Sequence, residues 1–168
     1  TGDATGGKAG DLIVSLGKGS ASTGGDLIFS SGASTPLTGG YASISAGLGV
    51  QTSSGSIVVR TMNAGAAGIS GSMSFSSGTT SAGTSGMVQI STGDSTSGKA
   101  GDLIFSVGSG KEFSGGDIIF SAGETTASNQ LGGSISLSAG YGSSGVNGQG
   151  GHFDITSGAS TGGSGGFI

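Results

Sequence analysis

The sequence predicts an all-β fold: a flat, two-sided parallel β-solenoid of about eleven coils of roughly fifteen residues, with no helix. Three observations predict it. An eight-residue unit recurs along the whole chain at near-constant spacing, apolar residues alternate inside the unit, and glycines bracket it.

The unit reads Gly, any residue, apolar, any residue, apolar, Ser, small, Gly. It is GDLIVSLG from Gly10, GDLIFSSG from Gly25, GYASISAG from Gly40, GSIVVRTM from Gly55 and GSMSFSSG from Gly71. It continues as GMVQISTG from Gly86, GDLIFSVG from Gly101, GDIIFSAG from Gly116, GSISLSAG from Gly133 and GHFDITSG from Gly151. An eleventh copy starts at Gly166 and stops at Ile168. Successive starts are 15, 15, 15, 16, 15, 15, 15, 17, 18 and 15 residues apart, and the repeat occupies residues 1–168 as one domain.

The third position is apolar in every copy, from Leu12 and Leu27 to Ile135 and Phe153, and so is the fifth, from Val14 and Phe29 to Leu137 and Ile155. Period-two alternation is the strand signature, with positions three, five and seven on one face and two, four and six on the other. The sixth position is Ser or Thr except at Arg60, which suits an outward row. Glycine at the eighth position, missing only at Met62, suits a sharp exit, and Gly-Gly pairs such as 24–25, 39–40 and 132–133 mark the other corner.

About seven residues separate one unit from the next, too few for a helical crossover and more than a tight hairpin needs. A coil returning through a thin second side sets equivalent strands side by side at about 4.8 Å. Burial in such ladders is worth roughly 1.5–3 kcal/mol for each large apolar side chain.

Mean composition alone describes a flexible linker: 41 Gly, about 50 Ser and Thr, and only 8% charged residues. The ordered repeat overrides that description. Five basic residues against nine acidic ones cannot form a phosphate-binding stripe, which argues against nucleic acid. No apolar run reaches the roughly 18 residues of a membrane span. There is no Cys, no signal peptide and no initiator Met, so a mature or excised segment of a longer repeat protein is expected.

A longer period lies over the short one. TGDATGGKAGDLIVS (1–15) matches TGDSTSGKAGDLIFS (92–106) at twelve of fifteen positions, an offset of 91 residues. GGDLIFSSG at 24–32 likewise matches GGDIIFSAG at 115–123, and SAGLG at 45–49 matches SAGYG at 138–142. The outward fourth position is polar in half of the copies but apolar at Ile13, Ile28, Val58, Ile104 and Ile119. Four of these sit two residues after Asp11, Asp26, Asp102 and Asp117. An apolar stripe on an exposed face marks a contact surface, so these nine residues are the candidate assembly contacts. Ends without capping coils point the same way, as templates for further pairing.

Chemistry is sparse. His152 is the lone His and stands beside Asp154, with no second His, no Cys and no Ser-His-Asp arrangement, so no enzyme and no cofactor is expected. Asp11 over Asp26 and Asp102 over Asp117 are expected one rung apart, a pairing able in principle to serve a glycosidase or Ca²⁺. Lys8 and Lys99, in the repeated Lys-Ala-Gly-Asp, are the simpler balance for that charge, and no metal site is assigned. No Asn-x-Ser/Thr sequon is present, while the Ser/Thr-rich return segments suit O-linked sugars.

On these repeats the chain resembles the Gly/Ser-rich parallel β-solenoids of extracellular fibres and surface appendages: adhesin shafts, phage fibres and protist or algal surface hairs. The resemblance implies an extracellular or cell-surface structural subunit that self-assembles end to end or laterally. An ice-binding solenoid is the alternative, but its Thr-x-Thr ranks are missing, since Thr35, Thr79, Thr80, Thr125 and Thr126 fall between the units. A carbohydrate-binding or adhesin shaft is the third reading, weakened by having only seven Phe and two Tyr.

Overall fold

The computed structural model describes residues 3–20, 23–35, 37–143 and 145–168. Its regularity is that of the repeat. Bends or turns fall at 5–7, 50–52, 81–83, 96–98, 111–113, 127–129, 145–147 and 161–163, and a two-residue turn at 66–67 occupies the same place in the fourth repeat. Each lies in the segment between two units, and the backbone inside every unit is unbroken by bend or turn.

The parallel β-solenoid predicted above is not formed. Among the described residues there is no helix and no β-strand, so neither the stacked coils nor an all-β architecture exists in the chain. The way each return segment closes shows why. The amide of Gly40 donates to the carbonyl oxygen of Gly32 at 2.9 Å, Gly55 to Gly47 at 2.9 Å, Gly133 to Gly123 at 2.9 Å, Gly151 to Gly140 at 2.9 Å and Gly166 to Gly158 at 3.0 Å. In a flat coil the first and eighth positions stand at opposite ends of a strand, about 23 Å apart at 3.3 Å per residue. Here the last residue of one unit touches the first residue of the next. The return segment is therefore an Ω-like excursion that leaves and rejoins the chain at one neck, instead of a back side that carries it up one rung.

The neck is built alike in all ten repeats, and it accounts for the glycine at position one. A methyl group in place of the hydrogen on Gly25 would sit 3.6 Å from Leu16, the seventh-position residue of the preceding unit. The same relation pairs Gly40 with Ser31, Gly55 with Ala46, Gly71 with Thr61 and Gly86 with Ser77. It also pairs Gly101 with Thr92, Gly116 with Val107, Gly133 with Ala122, Gly151 with Ala139 and Gly166 with Ser157. At Gly116 the separation is only 2.8 Å, from Val107 Cγ1, so a side chain there forces that valine aside. Seventh-position residues are small or modest because the next repeat begins on top of them.

Necks replace ladders, and the energetics follow. None of the described hydrophobic residues is buried. The exposed surface of 16542 Å² is more than twice the roughly 7,200 Å² of a compact folded monomer of this mass. The burial expected of the third- and fifth-position side chains is thus not realised. The return segments, made of Gly, Ser, Thr and Ala, offer too little apolar surface to cover those rows. The few large residues they carry, such as Leu37, Ile69 and Leu131, point to solvent at 81–97% exposure.

A trace of the alternation remains. The third-position residues Leu27, Ile57, Met73, Val88, Leu103, Ile118, Ile135 and Phe153 are 46–56% exposed, whereas the fourth-position Ile13, Ile28, Val58, Ile104 and Ile119 are 75–81% exposed. Leu12, at 85%, breaks the rule in the first repeat. The two faces of each unit are distinguished, but no opposing layer closes over the inner one.

The chain divides into two compact units, Thr1–Val88 and Gln89–Ile168. The second starts three residues before Thr92, where the 91-residue duplication begins its second copy. Each unit holds its own necks: those at Gly40 and Gly55 in the first, those at Gly133, Gly151 and Gly166 in the second.

Candidate assembly surface

The duplicated motif folds the same way twice. In the first unit the bend at 5–7 is followed by Lys8, whose Nζ donates to Asp11 Oδ2 at 2.7 Å. In the second, the bend at 96–98 is followed by Lys99, whose Nζ lies 2.6 Å from Asp102 Oδ1 and donates to Oδ2 at 2.8 Å. Lysine and aspartate are three residues apart in both, and both side chains of each pair are mostly exposed. Lys8 and Lys99 therefore balance the two aspartates through a local ion pair, as the repeated Lys-Ala-Gly-Asp suggests. The second member of each expected carboxylate pair, Asp26 and Asp117, stands exposed, and neither takes part in an ion pair among the described residues. Stacking of Asp11 on Asp26 and of Asp102 on Asp117 by one rung required the solenoid and is corrected with it.

The five outward apolar candidates, Ile13, Ile28, Val58, Ile104 and Ile119, are all strongly exposed. Around four of them the unit supplies more apolar surface. Val14, Leu16, Leu27 and Phe29 accompany Ile13 and Ile28, and Phe105, Val107, Ile118 and Phe120 accompany Ile104 and Ile119. Val58 stands apart in the fourth repeat, where Arg60 replaces Ser and Met62 replaces Gly. There the chain forms a shallow concavity of about 140 Å³ lined by Arg60, Thr61, Met62 and Asn63. The departure from the repeat is what opens it, since Met62 stands where the neck glycine would be.

Two features escaped the reading of the sequence. Gly49 and Gly142 are the least exposed of the described residues, and they are equivalent members of the duplicated SAGLG and SAGYG. A methyl group on Gly49 would collide with the carbonyl of Ser53, and one on Gly142 with the carbonyl of Gln149. Both act as the inner leg of a necked loop, and the glycine two places after Ala in each copy was the available signal. The second feature is the left-handed backbone of Asn129 and Asn147, at φ 60° and 58°, in the turns of the two long return segments. Asparagine tolerates that region because its short amide bonds locally.

No group of three or more His, Asp or Glu is arranged to hold a metal among the described residues. His152 and Asp154 are exposed. No helix is long and apolar enough to cross a membrane. No protein-family model, no characterised protein and no solved structure matches this chain.

Proposed function

We propose that this chain is a self-assembling structural subunit of an extracellular filament or surface appendage, whose apolar rows are covered by other copies of itself. One observation carries the reading: periodic large apolar side chains, all exposed, in a repeat that has nothing of its own to cover them. Contiguous apolar surface of this extent marks an interaction site. A copy of the same chain is the partner whose apolar spacing matches along the whole length, repeat for repeat.

The sixth-position Ser and Thr keep the chain hydrated between contacts. The exposed Ser and Thr of the return segments, among them Thr79, Thr80, Thr125 and Thr126, suit O-linked sugars, in keeping with a surface location. The role is mechanical, with no catalytic step.

Sedimentation velocity combined with negative-stain electron microscopy between 1 and 100 µM, an arbitrary working range, tests the reading. Concentration-dependent polymers are expected. A single monomeric species across the range would end the self-assembly reading.

A further inference from the structure

The internal duplication places two copies of one surface on a single chain. The first patch lies in the first unit, on the segments 10–16 and 25–31, and the second lies in the second unit, on 101–107 and 116–122. They agree in more than sequence. Ile13 and Ile28 are 81% and 79% exposed, and their counterparts Ile104 and Ile119 are 77% and 79%. A lysine-aspartate pair of the same geometry flanks each patch.

From this equivalence we infer that the chain is ditopic: each patch docks on a patch of another copy, so every subunit holds two neighbours and the assembly grows as an open filament. The inference rests on the self-association proposed above and names the sites that perform it. A second copy is the occupant for three reasons. Whatever binds the first patch also binds the second, because they present the same side chains in the same order. Each patch exposes apolar surface on the order of the roughly 800 Å² per partner that a standard stable interface buries. The flanking charge of Asp11 and Asp102 is already matched by Lys8 and Lys99, so two patches meet without a net like-charge clash at that edge. Two identical contact sites whose pairing does not close on itself generate a filament rather than a ring.

Three variants compared with the unaltered chain test the inference: I13S/I28S, I104S/I119S and the quadruple substitution. None of these four side chains is buried in the chain, so the substitutions remove contact surface and leave the necks intact. Filaments are expected from the unaltered chain, dimers from either two-site variant, and monomers from the quadruple variant. A tenth equivalent of either two-site variant, added to the unaltered chain, is expected to shorten its filaments several-fold by capping growing ends. If the unaltered chain polymerises and the two-site variants polymerise equally well, ditopic pairing is overturned while self-assembly stands. If the unaltered chain is monomeric, both are overturned.

Discussion

The amide of Gly40 donates a 2.9 Å hydrogen bond to the carbonyl of Gly32, joining the end of one repeat to the start of the next. That bond separates the architecture of this chain from a stacked coil. It spends the first glycine of the repeat on the last glycine of the preceding one, so equivalent residues fifteen apart are not brought side by side. The same closure at Gly55, Gly133, Gly151 and Gly166 makes it the rule of the fold.

Dilute chain is therefore expected to lack both helical and strand signatures. Far-UV circular dichroism below the assembly threshold should show neither the 222 nm helical minimum nor a β-sheet minimum near 218 nm, both general spectroscopic markers at about those wavelengths. A sheet-type spectrum from demonstrably monomeric chain would overturn the necked-loop architecture.

Neck glycines should resist substitution where the approach is closest. Gly49→Ala pushes the new methyl into the Ser53 carbonyl and should open the bond from Gly55 to Gly47. The expected readout is faster amide exchange at Gly55, with Gly142→Ala doing the same at Gly151. Gly25→Ala meets Leu16 only at 3.6 Å, ordinary contact, and should leave its neck unchanged.

Asn129 and Asn147 divide replacements by backbone freedom. Asn129→Gly relieves a left-handed residue and should be neutral or slightly favourable, whereas Asn129→Val should cost about 1–2 kcal/mol of local turn stability. Chemical shifts and three-bond couplings across residues 127–129 report the change. Equal behaviour of the two variants would show that the turn does not hold that backbone.

Charge and apolar contact should differ in weight. An exposed ion pair such as Lys8–Asp11 is worth about 0.2–1 kcal/mol, so Lys8→Gln should shift the critical assembly concentration by no more than about fivefold. Removing a buried Phe or Ile contact costs about 1.5–3 kcal/mol, so Phe29→Ser should raise it by roughly tenfold or more. Added salt should lower the threshold, because Asp26 and Asp117 lie next to the patches and repel their counterparts across a contact. An assembly threshold insensitive to Phe29→Ser but abolished by Lys8→Gln would reverse this ranking.

The sequence by itself determined the period, the two-faced character of each unit, the duplication and the local lysine-aspartate pairs. Each depends on residues close in the chain: Lys8 reaches Asp11 across three positions, and glycine permits the bend wherever it recurs. The difference in exposure between Leu27 and Ile28, 51% against 79%, is the alternation surviving at the level of neighbouring residues. What only the tertiary structure decided is how one repeat meets the next. Alternation is compatible with any arrangement that offers the apolar face a cover, and nothing in GDLIFSSG states whether Gly32 ends a strand or closes a loop on Gly40. The return segments settle it. Their Gly, Ser and Ala side chains supply no layer to bury Leu27 or Phe29, while their glycine backbones allow the neck to close at short range. The apolar rows are thereby left on the outside, where another chain can reach them.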